Sequence, residues 1–371
     1  MTRSLSEYPI DRAPPPLKGH HHLLDRIATS MSESRLHHAW LMSGPEGIGK
    51  FKTALHIAAW LLSLPKPSDG GLFAGATPSS LQHPDQLDFN HPDARLAFTQ
   101  THPDMLILAP SEDDKNKSGQ IKTEQIRELK NFFAHSAGRS GWRIAIINSL
   151  DLVNRNGQNA MLKILEEPPQ SSVLLVLSNQ QGRILPTIRS RCTYAAMRRL
   201  EERDTQSVLR HIWPEGDEDY IGLLSRLCDG APGQAVRLAE TDVISLFEAS
   251  CNLLVDDATS RQDLWAIAEK WGIGGQKNRS VRMTGLYLFE AIISRASLSA
   301  AGSPDNKSQF DGVLFTKSAI EALARRHCAQ TLADIHQAFC TEIRQAEHLF
   351  LDFVPIFAKF LCDLHSQTRL E

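Results

Sequence analysis

The sequence predicts an α/β fold with a mostly parallel sheet over its first two hundred residues, followed by a helical region. Three observations carry this expectation. Short apolar runs alternate with helix-like segments up to about Leu200, the pattern of a parallel sheet covered on both faces. A GxxxxGK element, Gly44 to Lys50 (GPEGIGK), lies directly between one such run and an apolar helix, the setting a phosphate loop requires. Beyond Leu200 strand character stops, and the rest reads as helix and loop.

Taken in order, the first eighteen residues are polar, with Pro14, Pro15 and Pro16 in a row, and read as an extended arm. A helix begins within His20 to Ile27. Ala39 to Ser43 (AWLMS) is short and apolar, as a buried strand is, and Thr53 to Leu64 continues as a helix. Pro65 to Pro103 is rich in Pro, Gly, Ser, Asp and His without a period, and reads as a long excursion. Met105 to Ala109 returns to strand, Lys115 to Gly119 reads as a turn, and Thr123 to Ala137 carries Ile126, Leu129, Phe132 and Phe133 at helical spacing. Arg143 to Ile147 (RIAII) and Val173 to Leu177 (VLLVL) are further strands. Between them Asn159 to Leu165 is a short helix stopped by Pro168 and Pro169. Farther on, DGAPG at Asp229 and AAGSPDNK at Ala300 act as breakers, and Leu332, Ile335, Phe339 and Ile343 recur on one helical face.

Bulk properties narrow the function. With 42% hydrophobic and 22% charged residues the chain has ordinary globular composition. A formal net charge of −3 excludes general polycation binding to nucleic acid. The six cysteines are scattered without a CxxC pair, so reduced thiols fit better than a disulfide framework or zinc ribbon. The start has no apolar signal region. No apolar run reaches the ~18–20 residues that span a bilayer, so a cytoplasmic protein without membrane contact is expected.

The phosphate loop is degenerate. Gly44, Gly47 and Gly49 can turn backbone amides towards a phosphate, and Lys50 can neutralise it. A working loop has Ser or Thr next, to hold magnesium; here Phe51 offers no oxygen, and Thr53 stands two residues on. The strand end that should supply acids for metal and water reads Asn148, Ser149, Leu150, Asp151. Asp151 lies too far along for that role and is expected to cap the next helix. Weak nucleotide or phosphate binding without hydrolysis follows.

The stretch Asn159 to Pro169 (NAMLKILEEPP), together with Pro186 to Cys192 (PTIRSRC), resembles the clamp-loader subunits of bacterial DNA polymerase III. Those carry NALLKxLEEPP and Ser-Arg-Cys elements. LKGHHHLLDRI and RLHHAWLMSGPEGIGK resemble the delta-prime branch of that family, alphaproteobacterial type, over roughly Leu17 to Leu200. The resemblance implies an AAA+ domain over 1–198 with a degenerate P-loop, a helical lid over 199–245 and an all-α collar over 246–371. It implies that Arg191, framed by Ser190 and Cys192, reaches across a subunit interface to a neighbour's ATP. Arginine suits that task because it stays charged and presents a planar fork of donors.

Departures from the motor subunits of the family decide between its branches. Motors keep Ser or Thr after the lysine, an Asp-Glu strand end and a lid arginine; here Gly233, within DGAPGQAV, stands about where that arginine belongs. The resemblance therefore points to a stator, assembled with motor (tau/gamma) and delta subunits and meeting the sliding clamp and primed DNA through the complex. An active motor ATPase is the alternative that Phe51, Asn148 and Gly233 oppose. Relatives with a four-cysteine zinc module carry it after the first helix, and this chain has no cysteine before Cys192. Zinc is not expected, and His20, His21, His22, His37, His38, His83, His91 and His102 are expected in loops or at the surface, since they lack paired ligand spacing.

Overall fold

Ala39–Ser43 (β1) is buried at every position, as its apolar sequence requires. In the computed structural model, which describes residues 17–64, 83–110, 121, 123–135, 138, 141–272, 279–302, 309–349 and 351–366, the chain divides into two units, Met1–Asp204 and Thr205–Glu371. The expected Pro-rich arm up to residue 16, the first part of the excursion (65–82), the turn at 115–119 and the breaker at 303–307 lie outside the described residues.

The first unit contains, in chain order, α1 (His21–Ser32), β1, α2 (Lys50–Ser63), α3 (Pro92–Phe98), β2 (Met105–Leu108), α4 (Thr123–Ala134), β3 (Arg143–Ile147), α5 (Arg155–Ala160), α6 (Leu162–Glu166), β4 (Ser172–Ser178), α7 (Pro186–Arg189) and β5 (Thr193–Ala196). The sheet order is β2-β3-β4-β1-β5 with every pair parallel. β1, which feeds the phosphate loop, therefore sits between β4 and β5. Alternate strand residues face opposite layers. Ala39, Leu41, Ala145, Ile147, Leu174 and Val176 share a core with Ile126, Leu129, Phe133, Met161, Leu165 and Ile188 of the helices on one side. α2 packs against β3 and β4, and its run from Thr53 to Leu62 is buried all round, as a helix enclosed on several sides must be. The result is an α/β module with an all-parallel five-stranded sheet and a GxxxxGK loop after β1.

Three local expectations change. The excursion is not structureless throughout: Pro84–Gln86 forms a 3-10 turn, and α3, opened by Pro92 at its first position, packs on α2. The missing period reflects a helix of only seven residues, too short to show one. The NAMLKILEEPP helix is two helices, broken at Met161. β5 was not expected as a strand; TYAA is short and half exposed, so it lacks the apolar run that betrays a central strand.

The second unit is helical. α8 (Glu202–Ile212) leads into it, followed by α9 (Glu218–Leu227), α10 (Pro232–Ala239), α11 (Val243–Val255), α12 (Arg261–Gly272), α13 (Arg279–Ala300), α14 (Leu314–Arg326), α15 (Ala329–Leu349) and α16 (Phe353–His365). One hydrophobic core runs from Leu209 to Leu364. Leu332, Phe339 and Ile343 are buried in it and Ile335 packs against it, so the amphipathic face of α15 is satisfied within its own unit. Phe339 stacks on Phe360 at 3.8 Å between ring centroids.

Candidate functional site

The phosphate loop leaves β1 at Ser43. Gly44 donates its amide to the Ser178 carbonyl at the end of β4 (3.2 Å), while Met197, just past β5, donates to the Ser43 carbonyl (2.8 Å). A Cβ at Gly44 would stand 2.2 Å from the Met197 carbonyl oxygen, so the close approach of two backbones demands glycine there. Gly47 and Gly49 have φ of +83° and +97°, the left-handed region that side chains resist. The glycines thus keep the backbone course of a phosphate cradle.

The side chains do not complete it. Lys50 opens α2 and turns back, donating to the carbonyls of Gly44 (2.8 Å) and Pro45 (2.5 Å). Burial pulls its amino group down to about 8, opposed by the carboxylates of Glu46 and Asp151 nearby. Phe51 is half-buried and carries no ligand oxygen. Thr53 is buried and donates its hydroxyl to the Gly49 carbonyl within the helix (3.1 Å), which occupies it as a local bond of the backbone.

At the end of β3, Asn148 donates its amide to the Leu108 carbonyl (2.8 Å) and Ser149 is left-handed at φ +76°. The expectation that Asp151 caps the following helix fails. The cap of α5 is Asn154, whose side chain accepts from the Gly157 amide (2.8 Å). A 3-10 turn at Leu150–Leu152 swings Asp151 back towards the strand ends. There it is buried and accepts from the Asn179 amide just past β4 (3.0 Å). Its charge is spent on ordering the floor beside the loop. Among the described residues no group of three or more His, Cys, Asp and Glu side chains is arranged to hold a metal ion.

The second constellation is the corner between α6 and α7. α6 ends at Glu166, next to Glu167 and the proline pair. α7, started by Pro186, ends at Arg189, and the next two residues are Ser190 and Arg191. The Nη2 of Arg191 lies 2.8 Å from a Glu166 carboxylate oxygen. Its Nη1 donates to the Thr187 carbonyl (3.0 Å) and, at 3.5 Å, approaches the Ser190 hydroxyl. The Arg191 side chain remains 37% exposed, so it is held at the surface. Ser190 also donates to the Thr187 carbonyl (3.1 Å). Cys192 packs against the core of the first unit, and burial pushes its thiol up to about 12. The two sequence elements that carried the resemblance are therefore in direct contact.

The histidines are mostly local fasteners. His20 meets the Ile48 carbonyl (3.2 Å), His38 the Leu165 carbonyl (3.1 Å), and His83 pairs with Asp25 (3.1 Å). His102 is buried in the turn before β2, where it accepts from the Asp104 amide (3.0 Å). Gly233 lies in the first turn of α10, in the second unit.

Residues 19–201 match the model of a family described as "DNA polymerase III, delta subunit". The chain is 33% identical over 201 residues to DNA polymerase III subunit delta' of Pseudomonas aeruginosa, covering 54% of this chain and 55% of that protein. It is 28% identical over 226 residues to DNA polymerase III subunit gamma of Buchnera aphidicola, covering 60% and 56%. Over residues 19–201 the chain matches the clamp-loader family of DNA polymerase III. The chain spans a little over half the length of these two relatives, and the family match lies within the first unit. A solved gamma subunit-related protein of Thermotoga maritima aligns over 93% of this chain and 99% of its own at 15% identity, with a TM-score of 0.39. No helix among the described residues is long and apolar enough to cross a membrane.

Sequence reasoning named the loop glycines, Lys50 and Arg191, and missed what fixes them. Glu166 stood inside the quoted LEEPP element, where the proline pair marks the end of α6. The true partner of Asp151 gave no signal, because it is a backbone amide 28 residues away.

Proposed function

We propose that this chain is the delta-prime type, or stator, subunit of the DNA polymerase III clamp loader. It assembles with motor and delta subunits and serves the loading of the sliding clamp on primed DNA. It is not a competent ATPase alone, and it lends Arg191 to a neighbour's ATP site. Segments 199–245 and 246–371 act as lid and collar, and zinc has no part in the reading.

The observation that carries the proposal is the contrast between the two constellations. The loop keeps a cradle of glycines but has Phe51 where a metal ligand belongs, while Arg191 stands oriented at the surface on Glu166 and Thr187. A guanidinium held in this way can stabilise charge developing on a transferring phosphoryl group. The active-motor reading loses to the same facts, although gamma and tau subunits are among the similar proteins.

The test is steady-state ATP hydrolysis. The isolated chain is expected to show no magnesium-dependent turnover. In the loader reconstituted with clamp and primed DNA, Arg191→Ala should abolish the contribution of one site, where such arginines are worth roughly 10³–10⁵ in rate. The whole-complex loss is smaller because other sites carry other arginines. Arg191→Lys should rescue only in part, since a point charge does not replace a planar fork. Unchanged hydrolysis in both variants with assembly intact would leave a purely structural module as the better reading.

A further inference from the structure

Arg191 does not stand on its own element alone. Three short features converge to hold it: the end of α6, the Thr187 carbonyl in α7 and the Ser190 hydroxyl. Only the first is charged. The Glu166 carboxylate meets Nη2 at 2.8 Å. The Nη1 contacts go to Thr187 and Ser190, and Nε makes none of these three contacts. A guanidinium has five N–H donors in a fixed plane. Fixing one corner of that plane sets the direction of the rest. The proline pair Pro168–Pro169 ends α6 and thereby sets where the carboxylate stands.

We infer that Glu166 is a positioning residue for Arg191: its carboxylate fixes the plane of the guanidinium so that the remaining donors are presented to a phosphate on a neighbouring subunit. The inference rests on the reading of Arg191 as the trans residue. The two halves of the sequence resemblance then act as one device, in which LEEPP aims what Ser-Arg-Cys supplies. An exposed ion pair contributes little to stability, so the role of Glu166 lies in orientation.

The experiment is a double-mutant cycle in the reconstituted loader with clamp and primed DNA, using Glu166→Ala, Glu166→Gln, Arg191→Ala and the double variant Glu166→Ala/Arg191→Ala. The arginine-dependent rate is the wild-type rate minus that of Arg191→Ala. Glu166→Ala should lower this part about two- to five-fold through kcat, the rate equivalent of an exposed ion pair, with KM for ATP unchanged. Glu166→Gln keeps an acceptor oxygen and should recover part of the loss. The double variant should be no slower than Arg191→Ala, since Glu166 acts only through that side chain. Size-exclusion chromatography checks that each variant assembles. A Glu166→Ala defect that persists in full on the Arg191→Ala background would make Glu166 a structural residue and overturn the inference. So would a rise in rate, which would mean that the carboxylate masks the arginine. If Arg191→Ala itself changes nothing, the reading of Arg191 fails first.

Discussion

The phosphate loop and the Arg191 corner belong to one unit and are built in opposite ways. In the loop, the glycines keep the backbone course of a cradle and the side chains do not complete it. Gly44 still fits against Met197, Gly47 and Gly49 still take left-handed φ, yet Lys50 donates to its own loop and Phe51 fills the metal-ligand position. At the corner, a guanidinium is held at the surface by side chains as well as backbone. Gly44 is required by packing, and Gly47 and Gly49 by their left-handed φ, whether or not a nucleotide binds. Retention of a phosphate-loop sequence is therefore no argument for ATP hydrolysis, because the strands around it need the same turn.

This comparison breaks most sharply in the assembled loader. Lys50→Ala should leave clamp- and DNA-stimulated hydrolysis at the wild-type rate, whereas under the proposed function Arg191→Ala should remove one site's ~10³–10⁵-fold acceleration. A large loss of rate in an assembled Lys50→Ala complex would show that the loop still works. A smaller effect sharpens the packing side of the contrast. Gly44→Ala forces a Cβ to 2.2 Å from the Met197 carbonyl oxygen, backbone that cannot rotate away. A loss of about 3 kcal/mol is expected, at the upper end of overpacking costs, read as a lower urea midpoint with unchanged slope. Ordinary stability in that variant would mean that β1 and β5 tolerate separation.

The smallest effect concerns pH. Burial holds the Lys50 amino group near 8, below its usual range. The unfolded chain binds more protons between about 8 and the ordinary lysine value, so this group's contribution to stability rises with pH through that window. Anion binding has the opposite sign, since it needs the charged form. Inorganic phosphate affinity at the loop, measured by calorimetry at constant ionic strength, should fall about tenfold from pH 7 to 9. A flat profile would mean that the glycine amides alone hold the anion.

Much of the fold was legible because its signals are local and strong. β1 and β3 are short apolar runs and appear with the bounds read from the sequence. The positions of Gly44, Gly47, Gly49 and Lys50 follow from spacing alone. What stayed hidden depends on long-range pairing. β5 is half exposed and becomes a strand only because β1 offers it an edge. Asp151 was misread as a cap because its carboxylate competes between a helix that follows and a strand end that folding brings near. The aim of Arg191 likewise depends on Glu166, which lies 25 residues earlier.

The register of β5 on β1 has a consequence for architecture. Thr193 is paired with Trp40 and Ala196 with Ser43. Arg191 precedes the start of β5, while the phosphate loop follows the far end of the parallel β1. The four paired positions alone separate the two by about 10 Å at ~3.3 Å per residue, and the guanidinium is tied down at the near end. If Arg191 serves a neighbour as proposed, the first unit is polar, with a socket at one end of its strands and a plug at the other. Units of that kind would join head to tail, and head-to-tail contacts generate rows or rings. Under the proposed function, a member whose socket is dead and whose plug is live has one place in an open row, at its terminus. Its position would be encoded in the direction of two strands.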